Sequence, residues 1–306
     1  MTSNGQAVYE KKVGNLDLTA YSLDPRKGVD DLVRLVQLRE TPINLSQAAQ
    51  QRPVIAEFGS IDELTLNILG GRYEVPEQFR DLRQRIEKSL IQEGKTNGPI
   101  IIVRDPINIP LKVKQGGYFD FQATSAEKEE VRDIMQRYGT PVTDLARYLG
   151  FGYFVTSGDG KEILGVHRSQ DVGIVKNVMS LNGSTPAFDN GFYDPGFDFK
   201  GYFTRHIEDR MKTDFGLEKD KYSIGRGIFM DEKDGNNPII VWEIQTPLSA
   251  KEIAGRVNGN EYVIRKHPII YALSNNGVYD DVIGSLVQLP MYPQTAHVVD
   301  TFVKPR

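Results

Sequence analysis

The acidic side chains Asp194, Asp198, Glu208, Asp209, Asp214, Asp231, Glu232 and Glu243 fall around a segment striped with Phe203, Ile207 and Met211. A hard divalent cation needs several carboxylate oxygens converging on one point, and Glu208, Asp214 and a carboxylate from the Asp231–Asp234 turn are the set expected to supply them for Mg²⁺ or Mn²⁺. The same acids also read as solvated charge and as i,i+4 partners, such as Arg205 with Asp209. Asp214 stands apart, because its spacing from Ile207 and Met211 puts it at the inward edge of a helix, where an unpaired carboxylate is costly. His206 lies on the same segment and is the candidate proton carrier, with a merely structural or exposed histidine as the alternative. His206, Glu208 and Asp214 are thus the catalytic candidates, with Asp214 the metal candidate.

Other chemistries are poorly served. His167, His206, His267 and His297 have no zinc-site spacing, and the absence of cysteine removes disulfides, thiolate sites and cysteine nucleophiles. The glycine pairs Gly225-Arg-Gly227 and Gly70-Gly71 lack the context of a phosphate loop and read as turns or bulges. There is no G-x-S-x-G elbow, and no serine has a base near it in sequence. The segment Ala187–Lys200 carries Phe188, Phe192, Tyr193, Phe197 and Phe199 among Asp, Gly and Asn. These rings suit stacking on a planar ligand or packing within the protein, and the sequence leaves both open. Phe192, Tyr193 and Phe197 are the aromatic candidates for ligand contact, with Arg168 and Arg210 as the cationic ones.

The elements that must position these groups follow from periodicity. Gly152–Thr156 and Glu162–Val166 around Ser157-Gly-Asp-Gly160 predict a hairpin, and Asn177–Leu181 predicts a further strand. Phe203, Ile207 and Met211 predict a helix closed at Gly216, followed by strands over Tyr222–Met230 and Pro238–Gln245 with a turn at Asp234-Gly235. Ser249 and Glu252 form a capping box, Ile269–Leu273 is an apolar run, and Val278–Leu289 predicts the last helix. Upstream, the spacing over Asp30–Arg39 fits a short helix or a buried strand, with helix slightly favoured, and it predicts a helix from Val75 to Gly94 and a buried strand over Pro99–Val103. It also predicts a hairpin-like pair of Leu111–Val113 with Tyr118–Phe121, a helix opened by Thr124 and Glu127, and a short helix over Pro141–Leu149. Residues 1–30 offer at most one edge strand or arm.

With 306 residues, the chain is long enough for roughly two domains. A formal charge of -4 excludes a basic nucleic-acid binder by bulk electrostatics. The N-terminus does not resemble a signal peptide and no apolar run approaches a membrane span, so a cytoplasmic protein without membrane contact is expected.

From about Leu149 to Ala254, the order of elements and the wording GYFVTSGDGKEILGVHRS, NVMSLNG, DFGL, YSIGRGIFMDEKDGNNPIIVWEI and TPLSAKEI resemble the Nudix hydrolase family. The resemblance implies an α/β fold: a Nudix-like α/β/α sandwich with a mixed sheet, over residues 141–306. A smaller α/β region of no recognised family would precede it, over residues 1–140. It also implies a glutamate-rich box that binds divalent metals and directs water onto a diphosphate. Laid on the box, Gly183, Met211, Gly216 and Leu217 match, and Asp189 stands for the first glutamate. Asp209 holds the arginine position, Arg210 the first helical glutamate position, and Thr213 with Asp214 the glutamate pair. A guanidinium at a ligand position repels a metal, so the expected function is recognition of a nucleotide-like small molecule by a cleft that has lost standard hydrolysis, as sensor, regulator or scaffold. The alternatives are an enzyme acting on a nucleoside diphosphate derivative through relocated acids, or an assembly subunit forming a homodimer or binding a protein partner. A segment around Gly117–Thr124 is similar to Nudix enzymes acting on nucleoside diphosphate sugars.

Overall fold

The computed structural model describes residues 7–36, 43–105, 107–126, 128–169, 178–231, 237–274, 289 and 291–303. In chain order, β1 (Val8–Val13) and β2 (Leu16–Ser22) form a hairpin, followed by α1 (Val29–Leu35), α2 (Leu45–Gln51) and β3 (Val54–Phe58). Next come β4 (Leu66–Arg72), α3 (Arg80–Gln92), β5 (Pro99–Arg104), β6 (Leu111–Gly117), α4 (Tyr118–Thr124), α5 (Glu129–Tyr138) and β7 (Arg147–Tyr148). The remainder holds β8 (Gly150–Ser157), β9 (Glu162–Arg168), β10 (Val178–Ser180), β11 (Asn182–Ser184) and α6 (Phe199–Phe215). It continues with β12 (Ser223–Met230), β13 (Ile239–Gln245), α7 (Ala250–Val257), α8 (Glu261–Lys266), β14 (Ile269–Ser274) and α9 (Pro293–Val303).

The fold is mixed α/β with two mixed sheets. The large one runs β1-β2-β14-β9-β8-β13-β12-β3, with β13 parallel to β8 at its centre, and the small one runs β4-β6-β5-β7. Strands from both sides of residue 140 share the large sheet, since β1 and β3 form its edges and β2 lies between β1 and β14. Residues 1–30 therefore supply two strands where one was expected, because Gly14 at φ 58 turns the chain back on itself.

Burial on both faces explains why the central strands are almost continuously apolar. Phe151, Tyr153, Val155 and Trp242 pack with α6 and α7, whereas Phe154, Val241 and Tyr271 pack with α1 and α9. On α6 the stripe Phe203, Ile207, Met211 and Phe215 is buried, each side chain contributing about 1.5–3 kcal/mol by leaving water. The helix ends as its sequence dictates. Gly216 takes φ 62, its N–H reaches Lys212 and Met211, and the Leu217 N–H closes on Met211 at 3.1 Å.

Three upstream expectations are corrected. Tyr118–Phe121 is helical, not a strand, because a cap is assembled for it: the Gly117 N–H donates to Asp120 (2.8 Å) and the Phe119 N–H to Asn97 (2.8 Å). Thr124 ends that helix and accepts from the Ala146 N–H at 3.0 Å rather than opening α5, and Glu127 lies outside the described residues. Residues 142–144 form a single 3₁₀ turn before β7, so no helix spans Pro141–Leu149. The Gly225–Gly227 segment is a bulge, where the register of β12 on β13 shifts. The expected turn at Asp234-Gly235 and, but for Leu289, the expected helix over Val278–Leu289 lie outside the described residues. Among the described residues, no helix is long and apolar enough to cross a membrane.

Candidate functional site

The β8–β9 hairpin is a true pair only near its turn, from Val155↔Leu164 to Ser157↔Glu162. Beyond that the two strands part, and β10 pairs with the far half of β9 while β11 pairs with the near half of β8. The inserted segment thus fills a split in the sheet and leaves a cleft of about 560 Å³ on the α6 side. Its walls carry Arg168 from β9, Asn182 to Thr185 from β11 and the chain after it, and His206 and Arg210 from α6. Lys266 and His267, at the end of α8, and Tyr118 of α4 complete it. Close approach fixes the inserted strand, since a Cβ on Gly183 would lie 2.8 Å from the Phe151 carbonyl oxygen.

Asp214, expected to hold a metal, is engaged otherwise. Its carboxylate is buried, accepts from Asn182 Nδ2 at 2.7 Å, and forms a two-pronged ion pair with Arg210 through Nε at 3.0 Å and a second guanidinium nitrogen. Burial works against the Arg210 charge, but Asp214 outweighs it and holds the guanidinium firmly protonated. Removing either member would strand a buried charge, at about 3–5 kcal/mol. Arg210 is therefore neutralised from behind by Asp214, and it lines the cleft.

The other acids are dispersed. Glu208 pairs with Lys219 at 2.6 Å, Asp231 with Arg147, and Asp209 is exposed. Glu232 lies outside the described residues. Among the described residues, no group of three His, Cys, Asp or Glu side chains is arranged to hold a metal. Of the expected set, Glu208, Asp214 and Asp231 do not converge and do not fit Mg²⁺ or Mn²⁺, and Asp234, like Glu232, lies outside the described residues.

His206 does border the cleft, with a partner the sequence did not disclose. Its Nε2 lies 2.7 Å from Ser184 Oγ, which lies 2.8 Å from Tyr153 OH. Burial first, and Arg210 second, push the imidazole down to about 4, so it is neutral near pH 7. Burial pushes the Tyr153 phenol up, which keeps its proton. The expectation that no serine meets a base holds only along the chain, because β11 and α6 bring Ser184 and His206 together across the loop between them. At the mouth, Tyr262 OH accepts from Lys266 Nζ at 2.5 Å and from Arg210 at 3.4 Å.

The aromatic candidates lie elsewhere. Phe192 is buried among Phe188 (4.7 Å between ring centres), Phe197 (4.7 Å) and Tyr202 (5.1 Å), and forms part of the main core. Tyr193 is exposed and donates to the Gly71 carbonyl at 3.3 Å. None of Phe192, Tyr193 and Phe197 lines the cleft, so of the five expected ligand contacts only Arg168 and Arg210 reach it. Ser184, Asn182, Lys266, His267 and Tyr118 were missed, and Asn182–Ser184, directly after the predicted strand over Asn177–Leu181, carried the one available signal.

No family model matches this chain, and no curated protein matches it in sequence.

Proposed function

We propose that the cleft binds a phosphate-bearing, nucleotide-like small molecule, and that it does so without the metal-assisted water attack of Nudix hydrolases. One observation carries this reading. The cleft presents Arg168, Arg210 and Lys266, and no acidic side chain lines it among the described residues. Guanidinium and ammonium groups donating to phosphate oxygens are the strong, charge-assisted kind of hydrogen bond. Arg210 is prepaid in orientation by its two-pronged hold on Asp214, so little side-chain entropy is lost when a phosphate docks. Tyr118, half-buried on the cleft wall, supplies aromatic surface for a base. The Nudix resemblance of residues 149–254, including its glycine at Gly183 beside the cleft, agrees with a diphosphate ligand.

The test is calorimetric titration with ADP, UDP and UDP-glucose, with EDTA or with Mg²⁺, followed by mass analysis of the nucleotide. Binding that persists in EDTA, weakens with added salt, and falls roughly tenfold in Lys266→Ala is expected. Mg²⁺-dependent hydrolysis would overturn the reading, as would equal affinity in the Lys266→Ala variant.

A further inference from the structure

We propose that Ser184 is a nucleophile and His206 its base, so that the cleft transfers a phosphoryl group through a phosphoserine at Ser184 without a metal. The proposal rests on the phosphate-binding reading above and adds the chemistry. Ser184 and His206 both line the cleft, at 2.7 Å, the reach of a nucleophile–base pair. Tyr153 OH lies 2.8 Å from Ser184 Oγ on its other side. In the proposed arrangement the phenol donates to Oγ, and the serine proton points at His206 Nε2 in the Nδ1–H tautomer.

Both partners sit on rigid elements. Ser184 is registered against Phe151 in β11, and the His206 ring stands edge-on to Phe151 at 5.7 Å on the buried side of α6. The cationic wall does the work that a metal does elsewhere, spreading the charge that develops on the phosphoryl oxygens over Arg168, Arg210 and Lys266. A phosphate seated against Arg210 also offsets one of the two causes that weaken His206 as a base, so basicity rises when substrate is present.

For a nucleoside diphosphate, Ser184 Oγ forms a bond to the terminal phosphorus as the bond to the bridging oxygen breaks. The serine proton passes to His206 Nε2 and then to the departing nucleoside monophosphate. Water next attacks the phosphoserine, losing a proton to His206 as the bond from phosphorus to Oγ breaks. His206 returns that proton to Ser184, and inorganic phosphate leaves.

A fluorophosphonate in EDTA tests the pair without knowledge of the nucleobase, because an activated serine displaces its fluoride. The full chain is expected to gain one phosphonyl group, mapped to Ser184, and pyrophosphate is expected to slow the labelling. Ser184→Ala should abolish labelling, and His206→Asn should slow it at least ~100-fold with melting temperature monitored alongside. Because Ser184→Ala also removes a partner of Tyr153, Ser184→Cys provides a second check: its iodoacetamide alkylation should be faster with His206 than with Asn there. Absence of labelling at Ser184, or labelling indifferent to His206→Asn, overturns the proposal. Stabilisation by pyrophosphate without labelling would sink the nucleophile and leave the anion cleft standing. Labelling that pyrophosphate neither slows nor accompanies with stabilisation would sink the anion cleft, and phosphoryl transfer with it.

Discussion

The first turn of α6 and the turns that follow present side chains suited to a nucleotide, and they spend them differently. Phe199 and Tyr202 close on Phe192 and Phe197 to make a ring-on-ring cluster. His206 and Arg210, one and two turns further on, open onto the cleft beside Ser184. Residue type does not separate the two regions, since aromatic rings and guanidinium groups are equally at home on a ligand. What separates them is the neighbour: the rings find one another, and Arg210 finds an acid beneath it while it still lines the cleft.

The contrast is broken most forcefully at Phe192. Phe192→Ala should cost about 3–5 kcal/mol in urea unfolding while leaving ADP affinity unchanged, and a loss of affinity at full stability would make the cluster a binding surface after all.

Acid sharpens it next. His206 sits near 4 in the folded protein against 6.5 when unfolded, so the unfolded chain binds the extra proton between those values. Stability is then complete above about pH 6.5 and lost as the pH falls toward 4, by about 2 kcal/mol after allowance for solvent. His267 is shifted in the same direction, chiefly by burial, and adds to the slope. Thermal melting from pH 7 to 4.5 measures it, and His206→Asn should flatten the profile in part; an unchanged profile would mean that the imidazole is not held neutral.

The smallest effect belongs to Tyr193, exposed at the tip of the aromatic segment. Tyr193→Ala should change stability by no more than about 0.5 kcal/mol and leave ADP affinity alone, as paired melting and titration would show.

Local rules made much of this molecule legible. The stripe of α6, its Gly216 stop, the β8–β9 turn and the Ser249–Glu252 cap all follow from neighbours within a few residues. Asp214 was correctly placed at an inward position, but its partner Asn182 comes from a strand on the far side of a long loop. The cleft escaped for the same reason: Ser184, His206 and Lys266 belong to three elements that meet only because β8 and β9 part. The α4 helix was misread because its Tyr-Phe-Asp-Phe alternation imitates a strand, while the groups that cap it include Asn97, far upstream.

The edges of the large sheet bear on how the chain is made. β1, β2 and β3 leave the ribosome before β12 and β14 do, yet β2 pairs with β14 and Phe58 with Gly227. Vectorial synthesis therefore leaves the β1–β2 hairpin without β14, and β3 without β12, until most of the chain has emerged. A nascent chain stalled before Gly227 carries β3 without its β12 partner, an edge open to a neighbouring polypeptide.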